Sequence, residues 1–391
     1  MGKVIYSFGR FFGQAIGHVK AHHPAPGKDR PWCDQATADQ MRGARSKTRS
    51  EPQLVFDRNG IERRLGPLMA KGGEGKVYPL ADHQDVLVKI YHVRARNGDR
   101  LQTKLEAMRQ MGPMLNSPLF GWPRLLVFDE AGTWRGYAMR RLAGVQMQTL
   151  CQPQLIAERL PHWSRREILK CARSFVSLVG KAHRNQVIIG DINPGNLLVD
   201  PQTCEVRGID CDSYQIAGTT GLHPCPVGVP MLMAPELLGR DYSRVRRTFE
   251  QELFSVAIML FRMFMLGLHP YSRTYGEDPV ANLKSGHCAF GLGAGCRLPR
   301  GPWYKIWSHL PFRLKDLFIR TFRDGHGDPA ARTLLEEWND ALDEYLERLN
   351  KGWFDPHLVP SAPKSSHYRG SDSGRRKGTA SQGSRLFRKN A

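Results

Sequence analysis

Asp191 and Asn196 stand five positions apart in Gly190-Asp191-Ile192-Asn193-Pro194-Gly195-Asn196, a spacing across a Pro-Gly turn that can aim both side chains at one cavity. Each alone could merely cap that turn. Downstream, Ile209-Asp210-Cys211-Asp212-Ser213-Tyr214 puts two carboxylates at the end of an apolar strand, where an acid is costly unless it is employed. Upstream, Lys89 lies inside Val86-Leu87-Val88-Lys89-Ile90-Tyr91. An ammonium there is expensive unless it meets phosphates or a carboxylate, or unless the strand is an exposed edge. Before it runs Ala70-Lys71-Gly72-Gly73-Glu74-Gly75-Lys76-Val77, whose glycines let a backbone turn approach phosphates closely.

Taken in order, Gly72, Gly75, Lys89, Asp191, Asn196 and Asp212 meet the needs of phosphoryl transfer from ATP. That reaction wants a base or positioner for the acceptor hydroxyl, hard oxygen ligands for magnesium and a cation on the nonreacting phosphates. Asp191, then Asn196 with Asp212, then Lys89 fill those roles. Asp210, two residues before Asp212, is the rival magnesium ligand because alternate strand residues share a face.

The flanking elements narrow the choice of nucleotide motif. A Walker A loop needs Gly-Lys-Ser/Thr entering a helix, but Gly75-Lys76 is followed by Val77 and a second strand; a dinucleotide fingerprint would also open a helix. A glycine-rich hairpin followed by a strand with one inward lysine remains. Asp99 to Met111 reads as a helix with Leu101, Leu105, Met108 and Met111 on one face, and Glu106 is its best-placed carboxylate for orienting Lys89. Ser164-x-x-Glu167 is a capping box opening a helix through His183. A short strand at Val187-Ile188-Ile189 and a hairpin around Asp200 to Thr203 frame the Asp191 loop.

From about Leu65 to Leu349 the chain resembles a eukaryotic-type protein kinase domain, in particular the divergent bacterial kinases whose catalytic loop reads Gly-Asp-x-Asn-x-x-Asn. Ala234-Pro235-Glu236 resembles the Ala-Pro-Glu that closes the activation segment, Glu252 to Met265 the buried central helix, and His269-Pro270-Tyr271 a turn that follows it. The resemblance implies an α+β bilobal fold, with a small antiparallel-sheet N-lobe over residues 62–142 and a larger helical C-lobe over 143–350. It implies nucleotide contacts at Gly72, Gly73, Gly75, Val77, Lys89, Glu106 and Met139, catalytic roles for Asp191, Lys89 and Asn196, magnesium at Asn196 and Asp212, and a Glu236–Arg332 ion pair. Leu335, Trp338, Leu342, Tyr345 and Leu349 make an amphipathic last helix.

The departures matter as much. Ala70 replaces the first loop glycine, Asp212-Ser213-Tyr214 stands for Asp-Phe-Gly, Asn193 replaces a catalytic-loop lysine, and Glu252 replaces the aspartate that anchors that loop. Ile189-Gly190 replaces the His-Arg before the catalytic aspartate, removing the cation that would hold a phosphorylated activation segment.

Composition excludes other classes. With 57 Lys+Arg against 37 Asp+Glu, 41% hydrophobic and 24% charged residues, the chain is neither disordered throughout nor fibrous. Leu253 to Leu268 is interrupted by Arg262 and falls short of the roughly 20 residues of a membrane span; Met1 to Lys20 lacks a secretory pattern. Eight cysteines without a Cys-x-x-Cys pair argue against a zinc ribbon or disulfide scaffold and suit a reducing cytoplasm. Residues 1–50 hold nine Lys/Arg against three Asp/Glu, and residues 357–391 eight against one. The tail reads as disordered and solvated, with weak nucleic-acid or anionic-lipid contact as the alternative. In the N-terminal extension, Ile5, Phe8, Phe12, Ala15, Ile16 and Val19 suit a helix that docks on the protein's own body or lies peripherally on a membrane.

The leading function is an ATP-dependent protein kinase acting on Ser or Thr of a protein; Gly228-Val229-Pro230 before Ala234-Pro235-Glu236 resembles a peptide-docking segment. A nucleotide-binding pseudokinase scaffold and a small-molecule kinase are the alternatives. The missing arginine predicts that phosphorylation of the activation segment is not the on-switch; a phosphate-dependent activation, read in a labelled-ATP assay, that alanine at Ser213, Thr219 and Thr220 abolishes would contradict this.

Overall fold

The computed structural model describes residues 54–96, 99–218, 221–273, 278–291, 298–299 and 301–364. The N-terminal extension, Thr219, Thr220 and most of the basic tail lie outside the described residues.

The first lobe is a seven-stranded antiparallel sheet of order β2-β1-β6-β7-β5-β4-β3. Its strands are β1 (Leu54–Phe56), β2 (Glu62–Arg64), β3 (Ala70–Lys71), β4 (Gly75–Pro79), β5 (Val86–Tyr91), β6 (Pro123–Phe128) and β7 (Trp134–Arg140). β5, rich in branched residues, sits between β4 and β7 rather than at an edge, so the edge-strand reading of Lys89 is excluded. Alternation sorts its side chains: Val88 and Ile90 join a small cluster with Val55, Tyr78 and Val127, while Leu87 and Tyr91 join the main core. Lys89 shares the face of Leu87 and Tyr91, which turns its ammonium toward the second lobe.

Helix α1 (Asp99–Arg109) packs across the sheet and buries Leu105 and Met108 fully. The second lobe is mainly helical, built on α2 (Arg165–Arg184), α3 (Phe249–Phe264), α4 (Phe312–Gly327) and α5 (Leu335–Asn350). Ser164 and Glu167 form the expected capping box at α2, and Thr248 with Gln251 does the same at α3. α3 is buried from Glu252 to Phe264, because its aromatic residues interdigitate with those of its neighbours: Phe261 lies edge-on to Phe318 and Phe322 at 5.3 and 5.7 Å. Trp338, Leu342 and Tyr345 of α5 are fully buried beside them.

The predicted ion pair is present and bidentate: Arg332 Nη1 and Nη2 donate to Glu236 Oε1 and Oε2 at 2.8 and 2.9 Å. It fixes the end of the activation segment to the helical core. His269 meets the same segment at the carbonyl of Met231, 2.6 Å away, and burial lowers its pKa to about 3. The chain beyond α5 departs from the solvated-tail expectation at its start. The Arg165 guanidinium donates to the Leu358 carbonyl at 2.9 Å and the Lys364 amide to Ser308 Oγ at 2.9 Å. The start of the tail is therefore part of the folded body, because the His357 and Leu358 carbonyls there accept from Nε and Nη2 of a buried arginine.

Candidate active site

The two lobes meet over a narrow cleft of about 60 Å³ lined by Gly72, Gly73, Glu74, Gly75, Val77, Lys89, Asp191, Asn193, Asp210 and Val227–Val229. The glycine run forms a tight hairpin between β3 and β4, closed by the Gly72 amide on the Gly75 carbonyl at 2.8 Å. Gly75 has a second reason to be glycine, since a Cβ there would stand 2.3 Å from the Ile90 carbonyl oxygen. Sheet packing alone demands it, so Gly75 is not by itself a phosphate signal.

Lys89 is buried, and its Nζ donates to Asp210 Oδ1 and Asp212 Oδ2, each at 2.7 Å, with Glu74 Oε2 at 3.6 Å. Burial works against its charge, but the two aspartates and Glu74 outweigh it and hold the pKa above the ordinary lysine value. Asp212 also accepts from the hydroxyls of Tyr91 and Tyr137, the latter at 2.9 Å. Burial opposes its charge, yet Lys89 and the two phenols keep its pKa low. The Asp210 carboxyl goes the other way, pushed up by burial and by Asp212 against the pull of Lys89.

Two expectations fail here. Glu106 does not reach Lys89: it pairs with Arg58 and with Arg109, the latter at 2.8 Å. Asp212, read as the magnesium ligand, is absent from the cleft lining and has both oxygens engaged by Lys89, Tyr91 and Tyr137, while Asp210 lines the cleft. The cause is backbone: the strand ends at Gly208, Asp210 is left-handed with φ 59°, and Cys211–Ser213 turns as a short 3-10 helix. The Asp210 carbonyl is then held by the Ser213 amide and hydroxyl at 3.2 and 2.9 Å, so the strand rule that put both acids on one face does not apply. Tyr91 and Tyr137 were missed, although Tyr91 follows Lys89 at a same-face spacing of two.

The catalytic-loop pair is brought together as expected. Asn196 Nδ2 donates to Asp191 Oδ2 at 3.1 Å, on a loop whose turn is closed by the Gly195 amide on Asn193 Oδ1 at 2.9 Å. Glu252, from the first turn of α3, accepts the Gly190 amide at 2.6 Å and meets His183 Nε2 at 2.7 Å. The longer side chain thus still anchors the loop, from the buried end of the central helix. Met139 is buried in β7, opposite Leu87. Leu142, Leu198 and Ile209 form a separate small apolar cluster, and sequence reasoning did not single them out.

Asn196 Oδ1 is buried and accepts no hydrogen bond. Asn196 is not in the cleft lining, but its backbone carbonyl accepts the amide of Ile209, the residue before the cleft-lining Asp210, at 2.9 Å. The orphaned hard oxygen of its side chain suits one edge of a magnesium shell, and among the described residues no group of three or more His, Cys, Asp or Glu could hold a metal. Such a cation would complete its coordination with phosphate oxygens and water, as magnesium characteristically does.

The sequence has no family-model match. It is similar to the protein kinase YegI of Escherichia coli strain K12, 26% identical over 308 residues that make up 76% of this chain and 47% of that protein. The corresponding kinase of E. coli O157:H7 is 27% identical over 297 residues, 73% of this chain and 45% of its own length. A probable serine/threonine-protein kinase, pknA2 of Bifidobacterium longum, is 24% identical over 242 residues, 59% of this chain and 29% of that protein. The chain spans about half the length of the YegI proteins. The antiparallel-sheet lobe and the helical lobe give a bilobal kinase-like architecture, and the sequence is similar to these bacterial protein kinases.

Helix α1 turns Lys104 inward where a carboxylate was expected. Its Nζ has the Pro224 carbonyl at 3.4 Å, and burial lowers its pKa to about 8, despite nearby Cys225, Asp212 and Glu74. A lysine depressed in the folded state binds fewer protons than the unfolded chain between the folded and unfolded pKa values, so its contribution to stability rises with pH across about 8 to 10.5. Lys104→Met removes a neutral-pH penalty on the order of 3 kcal/mol. Denaturant unfolding should show the variant more stable at pH 7, with the difference shrinking toward pH 10; a constant difference contradicts the assignment.

Proposed function

We propose that the protein is an ATP-dependent protein kinase that transfers the γ-phosphate to Ser or Thr hydroxyls of a protein substrate. The observation that carries this reading is convergence: Lys89, Asp191 and Asp210, distant in sequence, line one interlobe opening beneath a glycine hairpin. A scaffold has no chemical need for all three.

In this reading the Lys89 ammonium neutralises the nonreacting phosphates, and the backbone of Gly72–Gly73 covers them. Asp191 accepts the hydrogen bond of the acceptor hydroxyl and orients it for attack on the γ-phosphorus. Asn196 and Asp210, in place of the expected Asn196 and Asp212, would hold magnesium, which supplies charge neutralisation on the phosphate oxygens. Asp212 does what Glu106 was expected to do, fixing Lys89 from behind. The apolar cluster of Leu142, Leu198 and Ile209 supports a flat base, with Val77 and Met139 completing its surroundings. Val227–Val229 forms the acceptor side of the cleft, which favours a protein substrate over a small molecule. Asn193 in place of a lysine leaves less charge on the transferred group and favours slow turnover, the feature that supports a nucleotide-binding scaffold as second reading. Among the described residues no helix is long and apolar enough to cross a membrane; a cytoplasmic location with peripheral attachment through the basic ends remains part of the proposal.

Purified protein with labelled ATP, magnesium and a generic protein acceptor tests the assignment. Asp191→Asn and Lys89→Met should each lower transfer by about 10²-fold or more. Asp210→Asn should raise the magnesium concentration for half-maximal rate, whereas Asp212→Asn should raise KM for ATP and leave that magnesium requirement near wild type. Equal transfer by wild type and all variants removes the kinase reading; nucleotide binding without transfer in the wild type promotes the scaffold.

Glu74 gives an independent check on where the phosphates go. Its carboxylate stands 3.6 Å from Lys89 Nζ and is 41% exposed, so it competes for the cation that a phosphate needs. Glu74→Gln should tighten ATP binding several-fold in a fluorescent-nucleotide titration. Weaker binding would show that Glu74 belongs to the nucleotide site rather than competing with it.

A further inference from the structure

Arg247, the residue before the Thr248 cap of α3, is buried beside the catalytic loop. Its Nη1 donates to the Gly190 carbonyl and its Nη2 to the Val227 carbonyl at 2.5 Å, with the Cys225 carbonyl at 3.4 Å. Among the described residues no carboxylate pairs with it, and its Nε finds no acceptor. The residue is held from two further sides. Its backbone amide donates to Gln215 Oε1 at 2.8 Å and its carbonyl accepts from Gln215 Nε2 at 2.9 Å, while the Tyr242 ring lies 5.3 Å from its Cζ. A buried cation solvated by carbonyls alone is costly unless the backbone it joins must stay joined.

The joined segments are the two walls of the acceptor side. Gly190 precedes Asp191, and Val227 opens the Val227–Val229 stretch that lines the cleft. Gly190 is shaped to this contact: at φ +73°, a Cβ would stand 2.8 Å from Cys225 Sγ and 2.9 Å from Arg247 Nη1. The glycine thus makes the space into which a guanidinium from the start of the central helix reaches. We propose that Arg247 is a positioning residue that locks the activation segment onto the catalytic loop, a permanent internal cation where a phosphate-dependent clamp would otherwise be needed. The proposal deepens the protein-kinase reading and rests on it for its catalytic consequence. The clamp itself is a matter of backbone order.

Two kinds of readout separate those layers. In Arg247→Met, amide hydrogen exchange across residues 224–229 should accelerate at least tenfold, with exchange in α5 unchanged. Binding of a fluorescent ATP analogue should stay within twofold of wild type, while KM for the protein acceptor rises about tenfold or more. Arg247→Lys, with one ammonium for three carbonyls, should fall between the two, and methylguanidinium added to Arg247→Gly should recover part of the acceptor KM. Unchanged exchange at 224–229 and an unchanged acceptor KM overturn the clamp, as does a loss of nucleotide affinity that parallels the loss of acceptor affinity. If Arg247→Met does not fold, the same exchange measurement on Arg247→Lys decides. A wild-type protein that transfers no phosphate sinks the kinase reading, and the exchange data still judge the clamp.

Discussion

A lysine ammonium buried between two aspartates ties the lobes of this protein together. Lys89 comes from the centre of the first lobe's sheet, Asp210 and Asp212 from the turn that opens the second lobe's activation segment, and each carboxylate oxygen is 2.7 Å from the ammonium. Neither partner could be buried alone, because an unpaired ion at such a depth would lose its charge. The pair therefore fixes the approach of the lobes. The two acids respond oppositely to this shared site: Asp212, with two phenols and the ammonium on it, stays ionised, while Asp210 is pushed toward its protonated form. That asymmetry separates a carboxylate committed to structure from one left facing the cleft.

Because the acid behind Lys89 comes from the second lobe, helix α1 is released from supplying it. Its outward carboxylate, Glu106, is spent on Arg58 and Arg109, and its inward polar residue is the lysine Lys104. A helix that contributed the acid could gate Lys89 by swinging; here such a swing would leave both carboxylate contacts of Lys89 intact. The phenols of Tyr91 and Tyr137 reinforce this, since β5 and β7 carry them and neither strand can move apart from the sheet. Order at the site thus depends on closure of the lobes more than on the position of one helix.

How much of this was legible in the sequence follows from the range over which each rule holds. The Asp191–Asn196 pair, the Ser164–Glu167 capping box and the burial pattern of α5 are local, and spacing alone recovered them. The bidentate Glu236–Arg332 pair is distant in sequence but came with the family resemblance. Asp210 and Asp212 do not share a face as expected, because period-two reasoning presumes a strand, whereas the strand ends at Gly208 and Asp210 itself is left-handed. Glu106 was misassigned for a rotational reason: the apolar positions fix the helix, but Lys104 and Glu106 are two residues and so about 200° apart on it. Only the packing of α1 decides which of them turns inward. Arg247 left no local signal, since a cation before a capping threonine usually marks nothing.

Two of the buried charged residues of the second lobe, Arg247 and Glu252, act from one place, the start of α3. Glu252 accepts the Gly190 amide and Arg247 donates to the Gly190 carbonyl, so the residue before Asp191 has both of its backbone groups fixed from a single helix end. A helix start is suited to this because its first turn has backbone amides to spare, and a capping box holds the flanking side chains in place. The aromatic packing that buries the rest of α3 then acts on the catalytic loop at one remove. Side chains such as Phe254 and Phe261 have no part in the cleft chemistry, yet they set where the helix end lies, and that end sets where the Asp191 carboxylate points. The chain replaces the His-Arg pair of its resembled family with Ile189-Gly190, and the loss is structural as well as chemical: it moves the anchoring charge off the loop and onto the most deeply buried element of the fold.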